Sequence, residues 1–158
     1  MATVSAAVAD FLGQRRIAVA GVSREAAGHG GNLVYQRLRD RGYQVFAVNP
    51  NAEVVEGDTC YRDLAAIPGG VDAVVIATNP AAAEGVVAEC ELLGVRRVWM
   101  HRSFGAGSVS DAATTKGRKA GMTVIAGGCP LMFDPTADFG HKCMRWVLDR
   151  TASRPTAG

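Results

Sequence analysis

The 158-residue sequence has no uninterrupted apolar run of roughly 18 residues, the length that a membrane-spanning helix requires. Its opening stretch, MATVSAAVADFLGQRR, lacks the apolar segment of a secretion signal. No CxxC pair occurs among the four cysteines, a pattern typical of reduced thiols rather than of a zinc site. We therefore expect a cytoplasmic protein that has no membrane partner.

Neither positive nor negative charge is in large excess. The 17 basic and 15 acidic residues give a formal net charge of +2, and the basic residues are scattered rather than clustered. Nucleic-acid-binding domains usually concentrate basic residues on one face, so no nucleic-acid partner is expected. The balance of 48% hydrophobic and 20% charged residues is typical of a globular protein. The length predicts a single domain over residues 1–150, followed by a flexible tail over residues 151–158.

Short apolar runs alternate with amphipathic segments along the chain. The runs are continuous rather than alternating, which indicates strands buried on both faces and therefore a parallel sheet covered by helices. The predicted strands are Arg16–Ala20, Gln44–Asn49, Ala73–Thr78, Arg97–His101 and Met122–Ala126. A brief edge strand is predicted at Thr59–Tyr61, followed by one or two turns of helix from near Asp63.

The helical segments complete an α/β pattern. They are predicted near Val4–Leu12, Asn32–Arg41, Ala81–Gly94, Ser108–Gly121 and Thr136–Asp149. Gly42, Gly94 and Gly121 each follow or end a helix, where a left-handed residue is expected. The predicted fold is a doubly wound, mainly parallel sheet of five to six strands with helices on both faces, in the order 3-2-1-4-5-6. The order changes direction beside the first strand, so a ligand crevice is expected there.

The loop after the first strand, GVSREAAGHGGN, suits an anionic ligand. Gly21 permits a sharp turn, and a side chain there is expected to occupy the position of a phosphate. Ser23 adds a hydroxyl, and Asn32 is predicted to cap the next helix. Three further glycines keep the amide groups at the start of that helix accessible: Gly28, Gly30 and Gly31. Because any strand-to-helix turn attracts Gly, Ser and Asn, a purely structural turn remains the alternative.

The loops after the second and fourth strands add polar groups to the same edge of the sheet. In VNPN, Asn49 stands where NAD-binding proteins usually carry a carboxylate for the ribose hydroxyls, and Pro50 stiffens the turn. The missing carboxylate counts against NAD. Across the expected crevice, Thr78 and Asn79 present polar groups, and Pro80 suits the first turn of a helix.

His101 and Cys129 follow the last two strands, and each has two interpretations. His101 either contacts a ligand or, as we prefer, closes its strand by bonding to a neighbouring loop. Cys129 is either a reactive thiol near a helix start or, more simply, a buried small apolar residue. Asp134, Asp138 and His141 match no standard metal-site spacing. We therefore predict neither a metal site nor a catalytic residue.

Several of these loops together resemble a known family. The segments AVAGVSRE, GYQVFAVNP, GDTCYRDLAAIP, VDAVVIATNP and GGCPLMF are similar to the small stand-alone CoA-binding proteins. These are related to the nucleotide-binding domain of the succinyl-CoA synthetase α subunit. The resemblance implies a Rossmann-like fold that binds coenzyme A, with the CoA diphosphate on the turn Gly21–Arg24 and the adenosine part bordered by Asn49–Asn51 and Thr78–Pro80. The candidate cofactor-binding residues are therefore Gly21, Val22, Ser23, Arg24, Asn32, Asn49, Pro50, Asn51, Thr78, Asn79, Pro80, His101 and Cys129.

The sequence departs from this family at two positions. Many relatives carry a basic residue where this chain has Asn51, and a glutamine where it has His101. The candidates for contact with the CoA 3′-phosphate are then Arg24, His29 and Arg102. The resemblance brings no ligase activity, since the second domain of the synthetase has no counterpart among the 158 residues.

These observations predict a protein that binds CoA or an acyl-CoA without catalytic machinery of its own. A homodimer is left open. One alternative is an NAD(P)-binding, oxidoreductase-like module. Another is a redox-responsive protein in which Cys129 pairs with the CoA thiol.

Overall fold

The computed structural model describes residues 3–25, 29–102, 107–133, 139–149 and 155–158. The strands within these residues are β1 (Arg16–Ala20), β2 (Gln44–Val48), β3 (Val54–Val55), β4 (Asp58–Tyr61), β5 (Ala73–Ile76), β6 (Arg97–Met100), β7 (Thr123–Ala126) and β8 (Thr156–Ala157). They form one sheet in the order β3-β4-β2-β1-β5-β6-β7-β8. The six inner strands pair in parallel, whereas β3 and β8 add antiparallel edges.

The six predicted strands and their order are confirmed, because β4, β2, β1, β5, β6 and β7 correspond to 3-2-1-4-5-6. Several strands end one or two residues earlier than predicted, so Asn49, Thr78 and His101 lie just beyond them. The edge strand β3 was not predicted. It joins β4 through Glu56 and Gly57, whose φ angles of 50° and 79° are typical of a two-residue type I′ hairpin turn.

The helices are α1 (Val4–Leu12), α2 (Gly30–Asp40), α3 (Pro80–Leu93), α4 (Asp111–Lys119) and α5 (Phe139–Leu148), and Pro130–Met132 form a 3-10 helix. The left-handed residues predicted after helices are confirmed at Gly42, Gly94 and Gly121, with φ angles of 86°, 72° and 77°. The helix predicted near Asp63 is wrong. That segment forms turns, in which the Asp63 side chain accepts a hydrogen bond from the Ala66 amide at 2.9 Å.

Helices cover both faces of the sheet, as the continuous apolar strands predicted. Along β1, Ile17 and Val19 belong to one buried cluster with residues of α1 and α2. Ala18 and Ala20 belong to a second cluster with residues of α3 and α4. Since successive side chains of a strand point to opposite faces, each face of β1 is packed against a pair of helices. With both faces covered, a ligand is expected at the ends of the strands, and ligands of such sheets bind beyond the carboxyl ends.

The last four residues of the chain form an edge of the sheet. Within residues 155–158, β8 pairs with β7, and the Val124 amide donates to the Gly158 carbonyl at 3.0 Å. The Arg118 side chain also donates to the Gly158 carbonyl, at 3.3 Å. The physical reason is the free edge of β7, whose backbone groups otherwise lack a neighbouring strand.

Some sequence predictions fall on residues outside the described ones. These are Gly28, Asp134, Asp138 and the predicted helical residues 136–138. None of the helices in the described ranges combines the length and the hydropathy needed to cross a membrane.

Candidate functional site

The candidate site lies where the strand order reverses, between the carboxyl ends of β1 and β5. Gly21 begins the loop after β1, with a φ angle of 97°, and its amide donates to the Val48 carbonyl at 2.9 Å. A Cβ atom at this position would lie 2.6 Å from the carbonyl oxygen of Ala77. The close approach of the β5 backbone therefore requires glycine at this position.

Two asparagine side chains hold the segment after Gly21 in place. The Asn49 side chain donates to the Val22 carbonyl at 2.9 Å and accepts from the Asn51 amide at 2.8 Å. From the other side, Asn32 accepts from the Ser23 amide and donates to the Ser23 carbonyl, both at 2.8 Å. Both asparagines were predicted to lie at the site, and the structure brings them together around Val22 and Ser23.

The prediction that Asn32 caps a helix is wrong. The helix α2 begins two residues earlier, at Gly30, and the residue at its N-cap is His29, whose side chain makes no capping hydrogen bond. Asn32 is instead 2% exposed and points toward the loop after β1. Gly residues at the first two positions of α2 allow the helix to start close to that loop, because a Cβ atom at Gly31 would lie 2.9 Å from the Gly21 carbonyl oxygen.

Glu56 supports this arrangement from the β3–β4 turn, and the sequence analysis missed it. Its carboxylate accepts from Asn32 at 2.6 Å and also from the Gln36 side chain. The hydrogen bond from Asn32, followed by that from Gln36, lowers the pKa of Glu56 below its usual value. The two hydrogens of the Asn32 amide group are thereby directed to Glu56 and to the Ser23 carbonyl, so Asn32 fixes the loop rather than contacting a ligand through that group.

The predicted residues after β5 form the start of α3. The Asn79 side chain accepts from the Ala82 amide at 2.9 Å and caps the helix, and Pro80 is its first residue. The Thr78 carbonyl accepts a hydrogen bond from the Ser108 hydroxyl. The amino ends of α2 and α3 therefore lie at the same rim, on either side of the crevice.

His101 lies beside the amino end of α2. A Cβ atom at Gly30 would lie 2.8 Å from the imidazole Cε1 of His101. Burial lowers the pKa of His101 to about 4, and His141 adds to the lowering. The imidazole is therefore neutral at pH 7, so it brings no positive charge to the site.

Cys129 belongs to the hydrophobic core and is only 2% exposed. It precedes the 3-10 helix Pro130–Met132, and its side chain makes no capping hydrogen bond there. This position corresponds to the simpler of the two interpretations, a buried apolar residue. Across the described ranges, no three His, Cys, Asp or Glu side chains come together as a metal site would require.

A cavity of about 790 Å³ lies next to the loop after β1, at the carboxyl ends of β2 and β4. Three predicted site residues line it: Arg24, Pro50 and Asn51. Arg62 also lines it, although the sequence analysis did not select this residue. Its position directly after the predicted edge strand is the signal that would have found it, because ligands bind beyond the carboxyl ends of such strands.

The fold and this crevice define the class of protein: a doubly wound α/β domain with an open switch point flanked by two helix amino ends. The sequence pattern of the CoA binding domain family matches residues 15–135, and the chain belongs to that family. This finding confirms the resemblance to the stand-alone CoA-binding proteins.

Relatives include both large enzymes and small proteins. The chain is 31% identical over 112 residues to the ADP-forming acetate–CoA ligase II of Archaeoglobus fulgidus, a match that covers 70% of this chain but 15% of the ligase. It is also similar to the structure of Ca. Korarchaeum cryptofilum dinucleotide forming acetyl-coenzyme A synthetase 1 in complex with phosphate and ADP, with 25% sequence identity and a TM-score of 0.60. That match covers 71% of this chain and 25% of the synthetase chain. A hypothetical protein from Pyrococcus horikoshii shares the fold at a TM-score of 0.73 and 23% identity, over 84% of this chain and 94% of its own.

Proposed function

We propose that this chain binds coenzyme A, or an acyl-CoA, with the diphosphate at the amino end of α2. The observation that carries the proposal is the Val22–Ser23 segment, which Asn49 and Asn32 hold beside this helix end. Membership of the CoA binding domain family supports the choice of ligand.

The helix end has the properties that an anion needs. The first amide groups of a helix have no partner within the helix, and the helix dipole makes this end partly positive. The first turn of α2 contains no acidic residue. Gly30 and Gly31 add no side chains of their own at this helix end, beside which the imidazole of His101 lies. A diphosphate placed here would accept several N–H hydrogen bonds at once.

The loop after β2 argues against NAD as the ligand. An NAD site usually offers a carboxylate that accepts hydrogen bonds from the ribose hydroxyls. Here the equivalent residue is Asn49, and both ends of its amide group already bond to the protein backbone. Asn49 therefore stabilises the loops and provides no carboxylate for the ribose hydroxyls.

Binding without chemistry is the activity that the site residues support. Acyl transfer needs a nucleophile with a base in reach. The Ser23 hydroxyl accepts a hydrogen bond from the Glu25 amide at 3.1 Å, so it contributes to the turn. Cys129 is buried, a position that does not favour a disulfide with the CoA thiol.

Calorimetric titration with CoA, acetyl-CoA, NAD and NADP tests the proposal. We expect CoA and acetyl-CoA to bind and NAD to bind much more weakly or not at all. The matched variants are His29→Asp and His29→Asn, which both supply a good N-cap to α2. The Asp variant also brings a negative charge to the diphosphate position, and we expect it to lose about tenfold or more in CoA affinity relative to the Asn variant.

Thermal unfolding of both variants provides the control for folding. Because Asp and Asn are both favourable caps, neither should lower the melting temperature. Equal CoA affinity of the two variants would place the diphosphate elsewhere. Preferential binding of NAD would overturn the choice of ligand.

A further inference from the structure

Glu56 occupies the first position of the two-residue turn that joins β3 to β4. Its φ angle is 50°, and within the described ranges every other residue with a positive φ is a glycine. Type I′ turns favour asparagine, aspartate or glycine at this position, because most other side chains crowd the backbone in the left-handed conformation. A glutamate therefore strains the turn, and the contacts of its side chain indicate what offsets the strain.

The Glu56 side chain lies against one face of α2. Asn32 donates to one carboxylate oxygen at 2.6 Å, and Gln36 donates to the other. The backbone carbonyl of Glu56 accepts from the Arg39 side chain at 3.0 Å. Positions 32, 36 and 39 share one face of a helix, since residues three and four apart are neighbours there. The turn is thus attached to α2 through both its side chain and its main chain.

The carboxylate determines the orientation of the Asn32 amide group. Asn32 is 2% exposed, so its amide hydrogens need acceptors within the protein. Its oxygen accepts from the Ser23 amide, and its nitrogen donates to the Ser23 carbonyl and to Glu56. A carboxylate only accepts hydrogen bonds. A flipped Asn32 amide would therefore bring its oxygen against two acceptors, the Glu56 carboxylate and the Ser23 carbonyl.

We infer that Glu56 is a positioning residue for the ligand, which raises the affinity for CoA by fixing Asn32 and, through it, the Ser23 backbone. The inference rests on the proposed function, in which the diphosphate lies beside Val22–Ser23. A loop that is ordered in advance binds more tightly, because a larger fraction of the molecules has the binding conformation. Loss of the carboxylate allows the Asn32 amide to turn and the Ser23 backbone to leave that conformation.

The neighbouring charged side chains already bind each other. Arg39 forms an ion pair of 2.6 Å with Asp58, and Asp58 also accepts from the Tyr35 hydroxyl at 2.7 Å. Removal of the Glu56 charge leaves this pair its own partners. A substitution at position 56 therefore tests the contacts of the Glu56 carboxylate rather than those of the Arg39–Asp58 pair.

The test measures CoA affinity by calorimetric titration for the intact chain, Glu56→Asn and Glu56→Gln. Asparagine suits the turn, but its side chain is one methylene group shorter and ends before Asn32. We expect Glu56→Asn to bind CoA about fivefold more weakly, the effect of about one lost hydrogen bond. Glutamine keeps the length and one acceptor oxygen, so Glu56→Gln should bind CoA within about twofold of the intact chain.

Gly57→Ala is the matched control in the same turn. Its φ angle of 79° strains an alanine, nothing lies within 4 Å of the added Cβ atom, and the Glu56 carboxylate is unchanged. We expect this variant to unfold at a lower temperature than the intact chain and yet to keep its CoA affinity. Amide hydrogen exchange without ligand gives a second readout: exchange at Ser23, which donates to Asn32, should accelerate in Glu56→Asn and stay slow in Gly57→Ala.

The outcomes distinguish this inference from the proposed function. If Glu56→Asn binds CoA as tightly as the intact chain, or leaves Ser23 exchange unchanged, the inference is overturned while CoA binding stands. The same holds if CoA affinity follows the melting temperature across the three variants, since the effect is then one of stability alone. If the intact chain binds no CoA, the proposed function fails and this inference fails with it.

Discussion

Asn32 joins the helix α2 to the Ser23 backbone through two hydrogen bonds of 2.8 Å, and it joins the same helix to the Glu56 carboxylate through a third of 2.6 Å. One buried side chain thus connects the loop after β1 to the β3–β4 turn. The shape of the candidate site therefore depends on a contact between residues that are 24 positions apart in the chain.

Replacement of Asn32 should loosen this loop. Asn32→Ala leaves the amide and carbonyl of Ser23 without their partner, so we expect a loss of about 1–3 kcal/mol in the free energy of unfolding. We also expect weaker CoA binding, measured by calorimetry. Gln36→Ala is the matched control because Gln36 bonds to Glu56 but has no hydrogen bond to Ser23. If both variants weaken CoA binding equally, Asn32 has no special role in the loop.

The acid stability of the protein should depend on Glu56. Hydrogen bonds from Asn32, then from Gln36, lower the pKa of Glu56 from its ordinary value of 4.5. A carboxylate with a lowered pKa in the folded state contributes stability above its unfolded pKa and loses it as the pH falls. Urea unfolding between pH 7 and pH 3 should therefore show a smaller decline for Glu56→Gln than for the intact chain. An unchanged slope would contradict this role of Glu56.

Two effects require glycine at position 21: the strain of a positive φ angle and the steric clash of a Cβ atom with the Ala77 carbonyl. Gly21→Ala combines an unfavourable φ of 97° with a Cβ atom 2.6 Å from the Ala77 carbonyl oxygen. Gly42→Ala has a similar φ of 86°, but nothing lies within 4 Å of its Cβ atom. We expect Gly42→Ala to cost about 1–2 kcal/mol. Chemical denaturation should show a much larger cost for Gly21→Ala, and equal costs would show that Ala77 can move aside.

His101 should affect stability at mildly acidic pH. Burial, with a smaller contribution from His141, lowers its pKa in the folded state to about 4, against an ordinary value of 6.5. The unfolded state therefore takes up a proton first, so the stability that is fully present above pH 6.5 declines as the pH falls toward 4. His101→Gln should flatten this part of the curve. An NMR titration that gives His101 a pKa near 6.5 would contradict the account.

The sequence was sufficient for the inner sheet, because continuous apolar runs such as Ala73–Thr78 indicate burial on both faces. It was insufficient for β3 and β8, since two-residue edge strands have too few side chains to form a pattern. The glycine and asparagine residues of the loops were identified, yet the tasks of Asn32 and Asn49 were not. Those tasks depend on contacts between distant segments, which local spacing does not reveal.

Arg62 is a second residue whose position at the site local spacing does not reveal. It lies in the segment GDTCYRDLAAIP, and only the strand order β4-β2-β1 brings the loop after β4 to the cavity that Arg24, after β1, also lines. Glu56 was missed because a carboxylate in a hairpin turn is ordinarily solvated. Here the turn lies over α2, where the carboxylate meets Asn32 and Gln36.

The most direct test of the central claim is a titration of the isotope-labelled protein with CoA, followed by backbone amide NMR. The account predicts that the largest shifts occur at the amides of Gly30 and Gly31, with smaller ones at Val22 and Ser23. Saturation with CoA that leaves the Gly30 and Gly31 amides unchanged would contradict the claim that the diphosphate is bound at the amino end of α2.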